Sequence, residues 1–120
     1  MKASEQASCA CDTPRAEQIA QLNDTLRETG RGGEVFFTRS IVQNTALSPV
    51  SIMQALASYD AFDADNDPHG ERDFGDIEVN GTSLLWKIDY YNREKTFGSD
   101  DPADPDVTSR VLTVMLPDDW

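Results

Sequence analysis

Phe74-Gly75-Asp76-Ile77-Glu78-Val79-Asn80-Gly81-Thr82-Ser83-Leu84-Leu85-Trp86-Lys87-Ile88-Asp89-Tyr90-Tyr91 sets an Asn-Gly pair between two runs rich in β-branched and aromatic residues. Asn-Gly is the pair best suited to a two-residue type I′ turn, because both central residues must take positive φ. The flanking runs predict two hairpin strands, Phe74–Val79 and Thr82–Tyr91. Side chains alternate between faces along a strand, so Leu84, Trp86, Ile88 and Tyr90 share one face, and Leu85, Lys87, Asp89 and Tyr91 share the other. The first set is predicted to lie on the core.

Working outward, Arg110 to Leu116 predicts a final strand after a short turn of helix at Val107 to Ser109, and Glu34 to Thr38 predicts an early strand. Thr13-Pro14 reads as a helix cap followed by proline at the first helical position, and Ile19, Leu22 and Leu26 recur at helical spacing. A first helix is predicted over Pro14 to Thr29, stopped by Gly30-Arg31-Gly32-Gly33. Ser48-Pro49 repeats the cap signal ahead of Ile52, Met53, Leu56, Ala57 and Tyr59, predicting a second helix from Pro49 to about Phe62. Two helices and four strands, three of the strands consecutive, point to an α+β domain with the helices packed on one face of a mainly antiparallel sheet. Residues 13–120 form that single domain, and residues 1–12 read as a disordered leader without hydrophobic period.

The 120 residues carry 22 acidic and 10 basic side chains, a formal charge of −12. From Asp60 onward there are 16 acids against five bases, Arg72, Lys87, Arg93, Lys95 and Arg110, so 16 minus 5 leaves 11 of those negative charges in the second half. This field disfavours direct contact with nucleic acid or an anionic membrane. It favours basic protein surfaces or cations. No apolar run is long enough to span a bilayer, and Met1 to Cys11 lacks a secretory apolar stretch, so a cytoplasmic protein is expected. Cys9 and Cys11 read as reduced thiols, since two thiols alone do not complete a tetrahedral zinc site.

Asp63, Asp65, Asp67, His69 and Glu71 alternate in a way that resembles a calcium loop. An EF-hand needs glycine at its sixth position and glutamate at its twelfth, where this chain has Pro68 and Phe74. A looser divalent-cation site, with His69 as ligand or general base, is the enzymatic rival; the commoner role for aspartates in turns is to bond their own backbone. No metal or cofactor is assigned. Gly30, Gly32 and Gly33 with Arg31 offer a weak anion cradle, but they follow a helix and lack the lysine of a phosphate loop. Trp86, Tyr90, Tyr91 and Phe97 suit packing better than an aromatic nucleic-acid platform, which would need positive charge around it.

Several stretches also resemble those of a known family: Leu22-Asn23-Asp24, Phe62-Asp63-Ala64-Asp65-Asn66-Asp67-Pro68-His69-Gly70-Glu71-Arg72-Asp73-Phe74-Gly75, Trp86-Lys87-Ile88-Asp89-Tyr90-Tyr91, Phe97-Gly98-Ser99, and Asp101-Pro102-Ala103-Asp104-Pro105 with Arg110-Val111-Leu112-Thr113-Val114-Met115. Over about Ile19 to Leu116 the chain is similar to a family of small bacterial proteins known as a domain of unknown function, often carried on mobile elements. The resemblance implies no catalytic residue. Its mobile-element setting implies a counter-defence role, of the anti-CRISPR or anti-restriction kind.

The leading expectation is therefore a non-enzymatic acidic inhibitor that engages a basic nucleic-acid-binding protein or complex. Its contact residues are predicted to be Asp63, Asp65, Asp67, Glu71, Asp73, Asp100, Asp101, Asp104 and Asp106. A metal-dependent enzyme built on loop 63–73 is one alternative. A regulatory domain that dimerises through Arg110 to Leu116 as an edge strand is the other.

Overall fold

A computed structural model describes residues 14–65 and 67–119. The leader expected over 1–12, with Cys9 and Cys11, and the Thr13 cap lie outside those residues. The elements run α1 (Arg15–Thr29), β1 (Glu34–Phe37), α2 (Arg39–Val42), α3 (Pro49–Ser58), β2 (Phe74–Val79), β3 (Thr82–Tyr91) and β4 (Ser109–Met115), closed by a 3-10 turn at Pro117–Asp119. The hairpin forms with the predicted bounds, and Asn80 (φ 51°) and Gly81 (φ 79°) take the positive φ values a type I′ turn demands.

The sheet order is β1-β4-β3-β2, with β2–β3 and β3–β4 antiparallel and β1–β4 parallel. The fold is thus α+β with a mostly antiparallel sheet. Two expectations change. β4 lies between β1 and β3, so Arg110 to Leu116 is not the free edge of a dimer; its run of buried residues on both faces suits a central position. Val107 to Ser109 forms no helix, and Val107 instead closes a turn onto the Asp104 carbonyl at 3.3 Å.

The register places Gly75, Ile77, Val79, Leu84, Trp86, Ile88, Leu112 and Val114 on one face. Leu26 of α1 and Ile52 and Leu56 of α3 join them in one buried cluster. Ser48 caps α3 as predicted, its hydroxyl accepting from the Ser51 amide. The helix then ends at Ser58, four residues before Phe62, because Tyr59 turns extended. Its ring meets Phe62 edge-on at 4.8 Å and Trp86 at 5.6 Å. Gly75 lies under this aromatic group, where a Cβ would come within 2.6 Å of the Tyr59 ring.

The apolar stripe of α1 also departs from expectation. Leu22 is only partly buried, whereas Asn23 is fully buried and Arg27 nearly so. The core-facing row is Ile19, Asn23, Leu26 and Arg27, and it brings polar groups under the sheet.

Candidate functional site: two aspartate-rich loops beside helix α1

The first loop, residues 60–73, folds by using its own acids as acceptors. Asp63 Oδ1 accepts from the Asp65 amide at 2.9 Å, and Asp67 Oδ1 accepts from the Arg72 amide at 2.9 Å. The second bond fixes Arg72 in a left-handed conformation (φ 55°), from which its guanidinium reaches α1. There Nε bonds both Asp24 carboxylate oxygens at 3.1 Å and Nη2 bonds Glu17 Oε2 at 2.9 Å. The hydrogen bond from Arg72 holds the Glu17 carboxyl below its ordinary range, and the same bond stabilises the charged form of Arg72.

A buried polar hub lies beneath that loop. Asn23 Nδ2 donates to the Glu71 carbonyl and to the Tyr90 hydroxyl, each at 2.9 Å, and Asn23 Oδ1 accepts from Arg110 Nε at 2.9 Å. Tyr90 in turn donates to Glu71 Oε1 at 2.8 Å. Burial raises the Tyr90 pKa and lowers that of Arg110, whose guanidinium stands 5.3 Å from the Tyr90 ring centre. Burial, then the neighbouring Glu71 carboxylate, pushes the Asp73 carboxyl upward. Nearby, Arg27 donates to the Leu56 carbonyl at 3.0 Å and pairs with Asp24 at 2.8 Å, tying α1 to α3.

The second loop, residues 99–108, is fastened mainly within itself. Asp101 Oδ1 accepts from the Ala103 amide at 3.2 Å and Asp104 Oδ1 from the Asp106 amide at 2.9 Å. The Thr108 hydroxyl donates to the Asp101 carbonyl at 2.9 Å and lies 2.6 Å from the Ser99 hydroxyl. Two links reach outside: Arg15 of α1 pairs with Asp101, and Arg110 donates to the Pro102 carbonyl. A groove lined by Gln18, Leu22, Ala103 and Pro105 separates this loop from α1.

Glu17 and Asp24 stand on one flank of α1, and Arg15, Gln18 and Leu22 on the other, at 100° per residue around the axis. The two loops therefore border opposite flanks of the same helix. Of the nine predicted contact residues, Asp63, Asp65, Asp100 and Asp106 are exposed, while Asp67, Glu71, Asp73, Asp101 and Asp104 are partly buried. Asp76 and Glu78 are exposed on the opposite sheet face, where Asp89 pairs with Lys87 at 2.9 Å. They do not join the loops.

The hub residues Asn23, Arg110 and Tyr90 are absent from that predicted set. Asn23 was detectable in principle, since it recurs four after Ile19 and three before Leu26, in a row otherwise apolar. Among the described residues no group of three or more His, Cys, Asp or Glu is arranged to hold a metal ion, and His69 is exposed. Nor is any helix among them long and apolar enough to cross a membrane.

The sequence profile of a family described as "protein of unknown function (DUF3768)" matches residues 37–119. That is more than half of the chain, and the chain belongs to this family. No curated protein and no solved structure matches it.

Proposed function

We propose that this member of the DUF3768 family is a non-catalytic binding module whose two aspartate-rich loops engage a basic nucleic-acid-binding protein, occupying a channel that otherwise receives a phosphate backbone. The observation that carries this reading is the placement of both loops along one helix. The four exposed aspartates flank that helix from its two sides, while Asp67, Glu71, Asp101 and Asp104 brace the loops that present them. Bracing matters because a preorganised loop loses less entropy on docking than a free one. The charge of −12 adds long-range steering toward a cationic cleft, which salt weakens.

Counter-defence, of the anti-CRISPR or anti-restriction kind, is the setting proposed for such a partner. The test is capture from a bacterial lysate at low and high salt, followed by elution with duplex DNA. Wild-type protein should retain a basic partner that DNA displaces, and a variant with Asp63, Asp65, Asp100 and Asp106 all changed to Lys should not. Its circular dichroism should match that of wild type, because none of the four is buried. Retention by the charge-reversed protein, or a partner indifferent to DNA, would reject the reading.

A further inference from the structure

Three of the five bases in the acidic half converge on one cavity. It has a volume of about 250 Å³ and is lined by Gly32, Gly33, Arg93, Lys95, Ser109 and Arg110, with Glu34 and Thr108 completing the wall. β1 and β4 are parallel neighbours, so their starts lie side by side, and the turn after β3 brings Arg93 and Lys95 over them. Gly33 makes the approach possible, since a Cβ there would come within 2.5 Å of the Arg110 carbonyl oxygen.

The charges at this cavity are not balanced from within. Lys95 pairs with Glu34, but among the described residues nothing pairs with Arg93. Arg110 is 2 % exposed and its guanidinium is engaged by the Asn23 amide oxygen and the Pro102 carbonyl, within the field of the Glu71 carboxylate. With the Arg110 guanidinium engaged in the Asn23 hub, Arg93 and Lys95 less the Glu34 carboxylate leave a local charge of +1 in a chain whose total is −12. An unpaired guanidinium at the mouth of such a cavity is free to take an anion from solution in charge-assisted hydrogen bonds.

We infer that this cavity is a binding site for a small phosphate-type oxyanion, with Arg93 and Lys95 as its charged contacts. The volume is below that of pockets that enclose drug-sized ligands, so the ligand is phosphate itself or a compact phosphate ester. Guanidinium groups match phosphate oxygens in paired hydrogen bonds, and the Ser109 hydroxyl stands among the lining groups as a further donor. The site stands independently of the acidic loops, because it uses none of their aspartates.

The test is an NMR titration of the ¹⁵N-labelled full chain with inorganic phosphate at constant ionic strength, repeated with succinate. Saturable shifts of the Gly32, Gly33, Arg93 and Ser109 amides are expected with phosphate, and weaker ones with succinate. Arg93→Gln, at an exposed position, should weaken phosphate binding by at least about fivefold without altering the rest of the spectrum. Glu34→Gln should tighten it by freeing Lys95. Shifts that do not saturate, an affinity unchanged in Arg93→Gln, or a preference for succinate would each overturn the assignment.

Discussion

Loop 60–73 is held by side chains arriving from α1 and β3, through Arg72 with Glu17 and Asp24, and through Glu71 with Tyr90 and Asn23. Loop 99–108 is held by aspartate and hydroxyl bonds to its own backbone, with an exposed ion pair at one end and the Arg110 contact at the other. Both are rich in Asp, yet one is anchored by tertiary contacts and the other mostly by local turns. Similar composition therefore conceals different sensitivities. Long-range anchors tie loop 60–73 to the stability of the whole domain, whereas local turns persist as long as their few residues do.

The sharpest way to break this contrast is Asn23→Ala. It removes two donors and one acceptor at a fully buried position and leaves Arg110 Nε without a partner. A loss of about 3 kcal/mol is expected from stranding buried polar groups, one of them charged. Urea denaturation measures it. Since Asn23 bonds Glu71 of one loop directly and reaches Pro102 of the other through Arg110, both should loosen in hydrogen exchange, and a change confined to one would show that the hub is not shared.

A change of Arg72→Met should separate the loops. It keeps much of the stem but removes both carboxylate contacts, at an expected cost of about 1 to 2 kcal/mol. Limited proteolysis should then cut within 63–73 and spare 99–108. The effect depends on pH. Folded Glu17 holds its proton less tightly than the unfolded chain, so its contribution is present above its ordinary value of 4.5 and is lost as the pH falls through the lower folded value. The gap between variant and wild type should accordingly narrow in acid. A constant gap from pH 7 down to about 3 would show that Arg72 acts by packing and not by charge.

The smallest effect belongs to Arg15→Ala. Its ion pair with Asp101 joins side chains that are 60% and 50% exposed, so a change within about 0.5 kcal/mol is expected. Thermal melting at low salt is the suitable measurement. A larger loss would mean that loop 99–108 depends on α1 as heavily as loop 60–73 does.

Much of the architecture was legible beforehand. The Asn80-Gly81 turn, the alternation through Trp86 and Ile88, and the Ser48-Pro49 cap are local signals, and each produced the element it predicted. What escaped was set by contacts between distant residues. Tyr59 left the helix to meet Trp86, β4 took an interior place beside β1, and the short helix α2 arose where no strong periodicity marks it. The candidate site divides the same way. That the loops would turn on their own aspartates could be read from residue type, but which carboxylates stay outside depended on the sheet and on α1.

By itself the amino-acid order determined the hairpin register, the apolar faces and the overall negative charge, because each follows from neighbours a few positions apart or from a simple sum. Only the tertiary structure decided that Asn23 would join Glu71, Tyr90 and Arg110, and that Arg93 and Lys95 would meet the glycines after α1. Those meetings span tens of residues of chain, and their partners are chosen by how the helices and sheet pack, which no short window of sequence records.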